Sequence, residues 1–435
     1  MARKRLTRQE SREQTVDLLI DAASKVFFQK GYAATSVEDV ASEAGFSTGA
    51  VYANFSGKAA LFAAANARRQ DGHTTRLPGV GAGTSQTALL RSLMLWDLRR
   101  REQDRTQLLL NGEFLLSSAA LDPKLAPAIR QDYERNYERV SGMVTEARDR
   151  FGTHPSMDDR DIAIALQALS DGLDVIGWYD PEAVPVPLFA KVFGVLTGLS
   201  SNVVRRFAHG EEPVGADLGA PPDHREAGLA DVVRHDRTPS RKTLEVTIPA
   251  LVEAAYDAFR SDGYAASTLE QVAASAGFSK SVVYSNFGSK ESLFWAVVLA
   301  ERPLATDRLL DRVRDAGTAD ALVRGLASIS AAARRTTFDF FLRNAEFWLA
   351  AARREPLAAK VRSAAECHRI DLGVVIRRTA PQGRRALTDD EIATAIVSID
   401  MGFDAHVALG PRRLRRTIAA EAVSILLEPM REARP

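Results

Sequence analysis

Two separate stretches of this sequence carry the same set of hydrogen-bonding side chains. The first has Thr35 and Ser36, then Thr48, Gly49, Tyr52, Asn54 and Lys58. The second has Ser267 and Thr268, then Lys280, Ser281, Tyr284, Asn286 and Lys290. Hydroxyls, amides and an ammonium suit phosphate oxygens and the edges of bases. Lys58 and Lys290 stand at the start of a predicted helix, where a cation opposes the helix dipole at a cost of roughly some tenths of a kcal/mol. A phosphate partner would offset that cost. Other chemistry finds little support. Gly45-Phe46-Ser47-Thr48-Gly49 has the form G-x-S-x-G, but a hydrolase elbow needs a strand before it and a helix precedes it here. The matching stretch of the second set ends in Ser281 instead of glycine. Gly79-Val80-Gly81-Ala82-Gly83 also lacks a preceding strand, so it does not read as a nucleotide loop. No two of the seven histidines have metal-ligand spacing, and Cys367-His368 alone makes no site. Neither enzymatic activity nor a metal or cofactor is expected.

The two stretches belong to an internal repeat. Gly31 to Phe62 aligns without a gap with Gly263 to Phe294, an offset of 263 − 31 = 232. The segments agree at 18 of 32 positions, where chance gives about one position in fifteen to twenty. The likeness continues outside them. Phe27 pairs with Phe259, Glu113-Phe114 with Glu346-Phe347, and Ile162, Gly172 and Asp174 with Ile392, Gly402 and Asp404. Two units of one design, each of roughly 200 residues, therefore follow one another.

The elements that must position these side chains read as helices throughout, so the expected fold class is all-α. Residues 11–30 set Leu19, Ala22, Ala23, Val26 and Phe27 along one stripe. Thr35-x-x-Glu38 predicts a capping box at the start of the next helix, and Ser267-x-x-Glu270 repeats it. Gly45 turns the chain, and Ser47 caps a further helix that runs to about Phe55. Phe46, Phe55, Phe278 and Phe287 read as core. Two short helices joined by a glycine-containing turn, with a longer helix behind them, form the helix-turn-helix pattern. Its second helix enters the major groove with the N-terminal end leading. Tyr52 and Tyr284 then either reach phosphate or pack on the longer helix.

The pattern G-Y-x-A-x-[ST]-[VL]-E-x-V-A-x-x-A-G-F-S-x-x-x-V-Y-x-N-F-x-x-K-x-x-L-F, present in both units, resembles the tetracycline-repressor (TetR) family of bacterial regulators. The resemblance implies an all-helical unit: three DNA-binding helices, then further helices that form a ligand pocket and a dimer interface. It implies phosphate contacts at Thr35, Ser36, Tyr52 and Lys58, and groove-facing positions at Thr48, Gly49 and Asn54. In the second unit the same roles fall on Ser267, Thr268, Tyr284, Lys290, Lys280, Ser281 and Asn286. Family members are ordinarily single units that dimerise, whereas this chain fuses two. Helices predicted at 159–178 and 185–207, and at 389–409 and 412–428, fall where the family dimerises through a four-helix bundle. Both pairs lie in one chain here. A monomer acting as a pseudo-dimer is expected, with a homodimer as the alternative.

The expected domains are 1–65 and 244–298 for the two DNA-binding parts, 66–207 and 299–435 for the two regulatory parts, and a flexible linker at 208–243. Aromatic candidates for ligand pockets are Trp96, Phe114, Tyr133, Tyr137 and Trp178 in the first unit. In the second they are Phe338, Phe341, Trp348, Phe403 and His406. Plain core packing is the competing reading for each. Arg3, Lys4, Arg5 and Arg8, and later Arg234, Arg237, Arg241 and Lys242, form either minor-groove arms or solvated tails. Lys and Arg total 57 against 56 for Asp and Glu, which leaves no overall basic coat but permits a local basic face. A single cysteine excludes an intrachain disulfide and suits a reducing cytoplasm. No apolar run approaches the roughly 20 residues of a membrane span, and the basic N-terminus lacks the apolar stretch of a secretory signal. The resulting expectation is a cytoplasmic, sequence-specific regulator that binds double-stranded DNA, represses, and is released by a small-molecule effector. The alternatives are an activator and a non-specific architectural protein.

Overall fold

The computed structural model describes residues 7–30, 32, 35–73, 83–102, 126–208, 243–300, 347, 354–379, 385–409, 414–415 and 417–428. Every regular element among them is helical, as expected. The linker, the glycine-rich stretch at 79–82 and the arm residues Arg3, Lys4, Arg5, Arg234, Arg237, Arg241 and Lys242 lie outside the described residues.

The first unit opens with α1 (Arg8–Lys30). It starts earlier than its apolar stripe suggests, because Thr7 and Glu10 form a reciprocal cap. The Glu10 amide donates to Thr7 Oγ1 at 3.2 Å, and the Thr7 amide donates to the Glu10 carboxylate at 2.7 Å. Next come α2 (Val37–Ala44) and α3 (Thr48–Asn54). The box that starts α2 is shifted by one residue from Thr35-x-x-Glu38. Ser36 Oγ accepts from the Asp39 amide at 3.1 Å, and the Asp39 carboxylate accepts from the Ser36 amide at 2.9 Å. The second unit repeats the shift, with Thr268 and Gln271 in place of Ser267 and Glu270. The reason is burial. Thr35 and Ser267 are only 3% and 2% exposed, and Ser267 Oγ is spent on the Gly263 carbonyl at 2.7 Å. An inward hydroxyl cannot cap the helix that follows. Gly45 then takes the left-handed conformation, φ 72, that ends α2 and lets α3 turn away.

The helices that follow in the first unit are α4 (Lys58–His73), α5 (Gln86–Glu102), α6 (Ala126–Phe151) and α7 (Asp159–Tyr179). The single helix predicted at 185–207 is two: α8 (Leu188–Leu196) and α9 (Ser201–Ala208). Gly198 stops α8 at φ 73, and the Leu199 amide returns to the Gly194 carbonyl at 2.8 Å. That is the Schellman closure of a helix end. The second unit supplies α10 (Ile248–Ala266, broken at Gly263), α11 (Leu269–Ser275), α12 (Lys280–Phe287) and α13, described over 290–300. Then come α14 (Glu355–Thr379), α15 (Asp389–Leu409) and α16 (Ile418–Leu427), the last shorter than the predicted 412–428.

Helices α7, α8, α15 and α16 of this one chain pack together as a bundle, with α7 against α15 as the central pair. One apolar core runs from α1–α4 through the first unit and into α14, α15 and α16 of the second. A separate core lies under α10–α13 and takes in Phe347, Leu357 and Val361. Where α7 meets α15 the backbones touch. A Cβ placed on Gly172 would sit 2.0 Å from the Ser398 carbonyl oxygen, and one on Gly402 would sit 1.9 Å from that of Ala168. The two contacts are related by the repeat, since 402 − 172 and 398 − 168 both equal 230. The crossing therefore has approximate two-fold symmetry within one polypeptide.

Two stability predictions follow from this geometry. Gly172→Ala must push α15 away from α7, and the cost should be at least roughly 1–3 kcal/mol, typical of overpacking. A urea midpoint equal to that of the native chain would show that the crossing is looser than described. Ser36→Ala removes the cap of α2 and should cost about 1 kcal/mol. Glu38, the other half of the unshifted box, is exposed, so a comparable loss from Glu38→Ala in the same measurement would contradict the shifted box.

Candidate nucleic-acid interface

Helices α3 and α12 each bury one side and present the other. Val51 in α3, and Val283 and Phe287 in α12, face inward. Tyr52 and Tyr284 project outward, 58% and 45% exposed, although large aromatic side chains normally find cover. Gly49 is exposed, and a Cβ there would meet only Ser47 Oγ at 3.6 Å. Lys280, Ser281 and Thr268 are exposed, and Thr48 and Ser36 are half-buried. The leading ends differ in detail. Ser47 Oγ accepts from the Ala50 amide at 3.3 Å and caps α3. Ser279 makes no such bond, and its hydroxyl lies 2.7 Å from that of Ser281.

Four expected contact residues are engaged elsewhere. Thr35 and Ser267 are buried, as described above. Asn54 Nδ2 donates to the Ala50 carbonyl at 2.9 Å, and its Oδ1 accepts from Arg12 Nε at 3.2 Å. Asn286 Nδ2 donates to the Val282 carbonyl at 2.7 Å. Each amide bonds back one turn onto its own helix, so both asparagines are half-buried at the trailing ends.

Lys58 and Lys290 have a partner that sequence reasoning missed. Each ammonium lies over a tyrosine ring, Tyr32 or Tyr264, 4.5 Å from the centroid. The negative face of the ring attracts the cation and answers the dipole penalty previously ascribed to phosphate. Each tyrosine belongs to an aromatic cluster. Tyr32 meets Phe62 at 5.1 Å and Phe27 meets Phe62 at 4.7 Å. Tyr264 meets Phe294 at 5.2 Å and Phe259 meets Phe294 at 4.9 Å. The available signal was the repeat itself: 58 − 32 and 290 − 264 both equal 26.

Lys280 is held before any DNA arrives. Its ammonium pairs with Glu270 of α11 and lies 5.4 Å from the centroid of the Tyr284 ring. The hydrogen bond to Glu270 raises the lysine above its ordinary value, and the same bond holds the Glu270 carboxyl below its own. Such an exposed pair is weak because solvent screens it, so a stronger acceptor can displace Glu270. The first unit has Glu38 and Thr48 at these places and cannot form the pair. Beside α2, Lys30 and then Ser36 hold the Asp39 carboxyl down to about 2.

The pocket candidates separate into distinct environments. Trp96 packs 5.6 Å from Phe189, with the Arg100 guanidinium 5.7 Å from its ring. Arg100 is fixed by Asp174 through two bonds of 2.6 and 2.7 Å. Trp178 and Phe403 are buried in packed surroundings. Tyr133, Tyr137 and His406, assigned by sequence to separate pockets in two units, meet at the boundary between the units. His406 Nδ1 is 2.9 Å from the Tyr137 hydroxyl, and its Nε2 is 2.9 Å from Asp171. Phe114, Phe338, Phe341 and Trp348 lie outside the described residues. Among the described residues no group of three or more His, Cys, Asp or Glu side chains is arranged for a metal ion. No helix there is long and apolar enough to cross a membrane.

Comparison with known proteins points the same way as the geometry. The family described as "Bacterial regulatory proteins, tetR family" matches twice, over residues 19–65 and 251–297. These spans hold α2–α3 and α11–α12. No curated protein matches the chain. A solved transcriptional regulator from Rhodococcus sp. Rha1 aligns at 25% identity and a TM-score of 0.34, covering 42% of this chain and 94% of its own. The chain is a DNA-binding transcriptional regulator of the tetR family, a tandem fusion in which each of two units opens with the family's helix-turn-helix domain.

Proposed function

We propose that this chain is a repressor that binds an imperfect palindromic operator as an intrachain pseudo-dimer and is released by a small-molecule effector. The observation that carries the reading is a likeness combined with a difference. Both reading helices expose a tyrosine and set a lysine over an aromatic ring just behind, so docking on the backbone is alike in the two halves. Their leading ends are Thr48-Gly49-Ala50 and Lys280-Ser281-Val282, so base reading differs. The contacts carried forward are Ser36, Thr48, Gly49, Tyr52 and Lys58, with Thr268, Lys280, Ser281, Tyr284 and Lys290. The proposed domain limits are 1–65 and 244–298 for the reading heads, with a linker at 208–243.

The bundle of α7, α8, α15 and α16 supports the pseudo-dimer, because it joins both units within one chain. To bind two half-sites, the reading helices must lie one duplex turn apart, about 34–36 Å. An effector that prefers a different spacing shifts the population away from DNA. Hundredfold release requires about 2.7 kcal/mol of differential binding. The effector is proposed to sit in a helical half near Trp96, since Tyr133, Tyr137, Trp178, Phe403 and His406 are committed to packing.

Two measurements test the DNA contacts. Lys58→Ala should weaken binding to every duplex about equally and reduce the salt slope of log K by about one. An unchanged slope removes Lys58 from the phosphate contacts. Selection from a random duplex pool should return two half-sites that differ under the leading ends. Lys280 donates to guanine O6 and N7, which Thr48 cannot do, while Thr48 can touch a thymine methyl. Each such contact is worth about 1–3 kcal/mol of discrimination. Lys280→Thr with Ser281→Gly should move the selected site towards symmetry. A perfectly symmetric best site for the native chain would sink the idea of two distinct reading heads.

A further inference from the structure

The contact between the units is two-fold in its backbone but not in its side chains. The repeat offset of 230 equates Ile176 with His406, Asp171 with Met401, Gln167 with Val397, Asp161 with Glu391 and Lys191 with Glu421. On one side of the crossing, His406 is fully buried and carries the polar load of both units. Its Nδ1 lies 2.9 Å from the Tyr137 hydroxyl, and its Nε2 lies 2.9 Å from Asp171 Oδ2. Gln167 Nε2 donates to Asp171 Oδ1 at 2.8 Å. Burial pushes the Tyr137 phenol well above its ordinary value, so its hydroxyl keeps its proton. On the other side, Ile176 stands where His406 would be, and only a small cleft is left beside Tyr179, Ala365, Arg369 and Val397.

The charges are asymmetric too. Lys191 of the first unit is 1% exposed, with its ammonium 2.6 and 2.8 Å from the two carboxylate oxygens of Glu391 in the second. The related place sets Asp161 of the first unit near Glu421 of the second. There two acids are reconciled only because Arg415 binds both.

We infer that these side chains form a pairing code that makes the dimerisation surface of each unit fit the other unit and reject a second copy of itself. The inference rests on the proposed pairing of the two units. If two first units met, each half-buried Asp171 would face Ile176 in place of the imidazole and keep the Gln167 and Tyr133 contacts of its own unit. If two second units met, each buried His406 would face Met401 and Val397, while Arg415 would stand between Glu391 and Glu421 as it does between Asp161 and Glu421. A buried polar group that loses its partner counts heavily against the wrong complex. Lys191 would find Asp161 in a pair of first units, so the discrimination rests on His406: the mixed pair alone gives it both the Asp171 carboxylate and the Tyr137 hydroxyl.

The tether masks this preference, because the linked unit is always at high local concentration. The test therefore removes the tether after folding. The full chain is made with a protease site inserted between residues 225 and 226, folded, nicked, diluted and re-equilibrated, and its complexes are weighed by native mass spectrometry. Mixed pairs should exceed like pairs at least tenfold, about what 1.4 kcal/mol of discrimination gives. In the same assay His406→Ile with Asp171→Met makes the two sides of the crossing alike and leaves no carboxylate opposite an isoleucine. Pairs of first units should then appear at several times their native level. A charge exchange gives a second reading. Lys191→Glu and Glu391→Lys should each lower the melting temperature of the intact chain, and together they should melt above either single variant. Random pairing of the nicked native halves, or a double charge variant that melts below both singles, overturns the code. The intrachain reading fails differently: the intact native chain would run at twice its 47.4 kDa, whatever the nicked halves choose.

Discussion

Close backbone contact between α7 and α15 is the constraint on which the remaining architecture depends. Gly172 and Gly402 admit each other's neighbouring carbonyl at distances no side chain permits. Small residues one turn earlier, Ala168 and Ser398, complete the two surfaces. The approach brings Ile162, Leu166, Leu169 and Leu173 together with Ile392, Ile396, Ile399 and Phe403 in one buried core. Non-directional apolar burial supplies most of the driving force. It cannot choose between like and unlike units, because both faces are apolar. The polar groups at the edges, His406 with Asp171 and Lys191 with Glu391, are where orientation and identity enter.

The reading heads depend on a different economy of polar groups. Each buries a hydroxyl at the place sequence reasoning assigned to the cap, and each caps with the next residue. Each also seats a lysine on a tyrosine that is itself clamped by phenylalanines. That arrangement fixes the start of α4 and of α13 relative to the long helix behind. A short helix such as α3 is marginal by itself. Its caps and the aromatic cluster hold its outward residues at a fixed height. Tyr52 and Tyr284 stay exposed in a head that is otherwise well packed, which distinguishes them from the buried aromatics nearby.

Much of this was legible in the residues. The repeat gave two units, and helical periodicity gave α1, α7 and α15 nearly to their ends. The turn at Gly45 and the cap at Ser47 followed from local chemistry. The errors also have physical causes. Choosing Ser36 over Thr35 required knowing which hydroxyl faces inward, a tertiary fact. Residues 185–207 look continuous because Gly198 weakens a helix pattern without erasing it, and only its left-handed backbone breaks the helix. Asn54 and Asn286 look like base readers by type, but bonding back to the preceding turn is a local alternative that type does not exclude. Tyr133, Tyr137 and His406 were placed in different pockets because the two-fold crossing that joins them is invisible along the chain.

The crossing also reaches the second reading head by a route the first lacks. Helix α14 puts Leu372, Val375 and Ile376 into the core shared by the units. Its start puts Leu357 and Val361 into the core under α10–α13. Tyr179, at the end of α7, packs against both cores, and its carbonyl accepts from Arg362 of α14 at 3.1 Å. The first head is continuous with the shared core directly, through α1 and α4. Among the described residues, the crossing thus touches the first head through a common core and the second through α14 and Tyr179. Packed cores move between discrete arrangements instead of deforming smoothly. One displacement at the crossing would therefore reach the two heads by different routes.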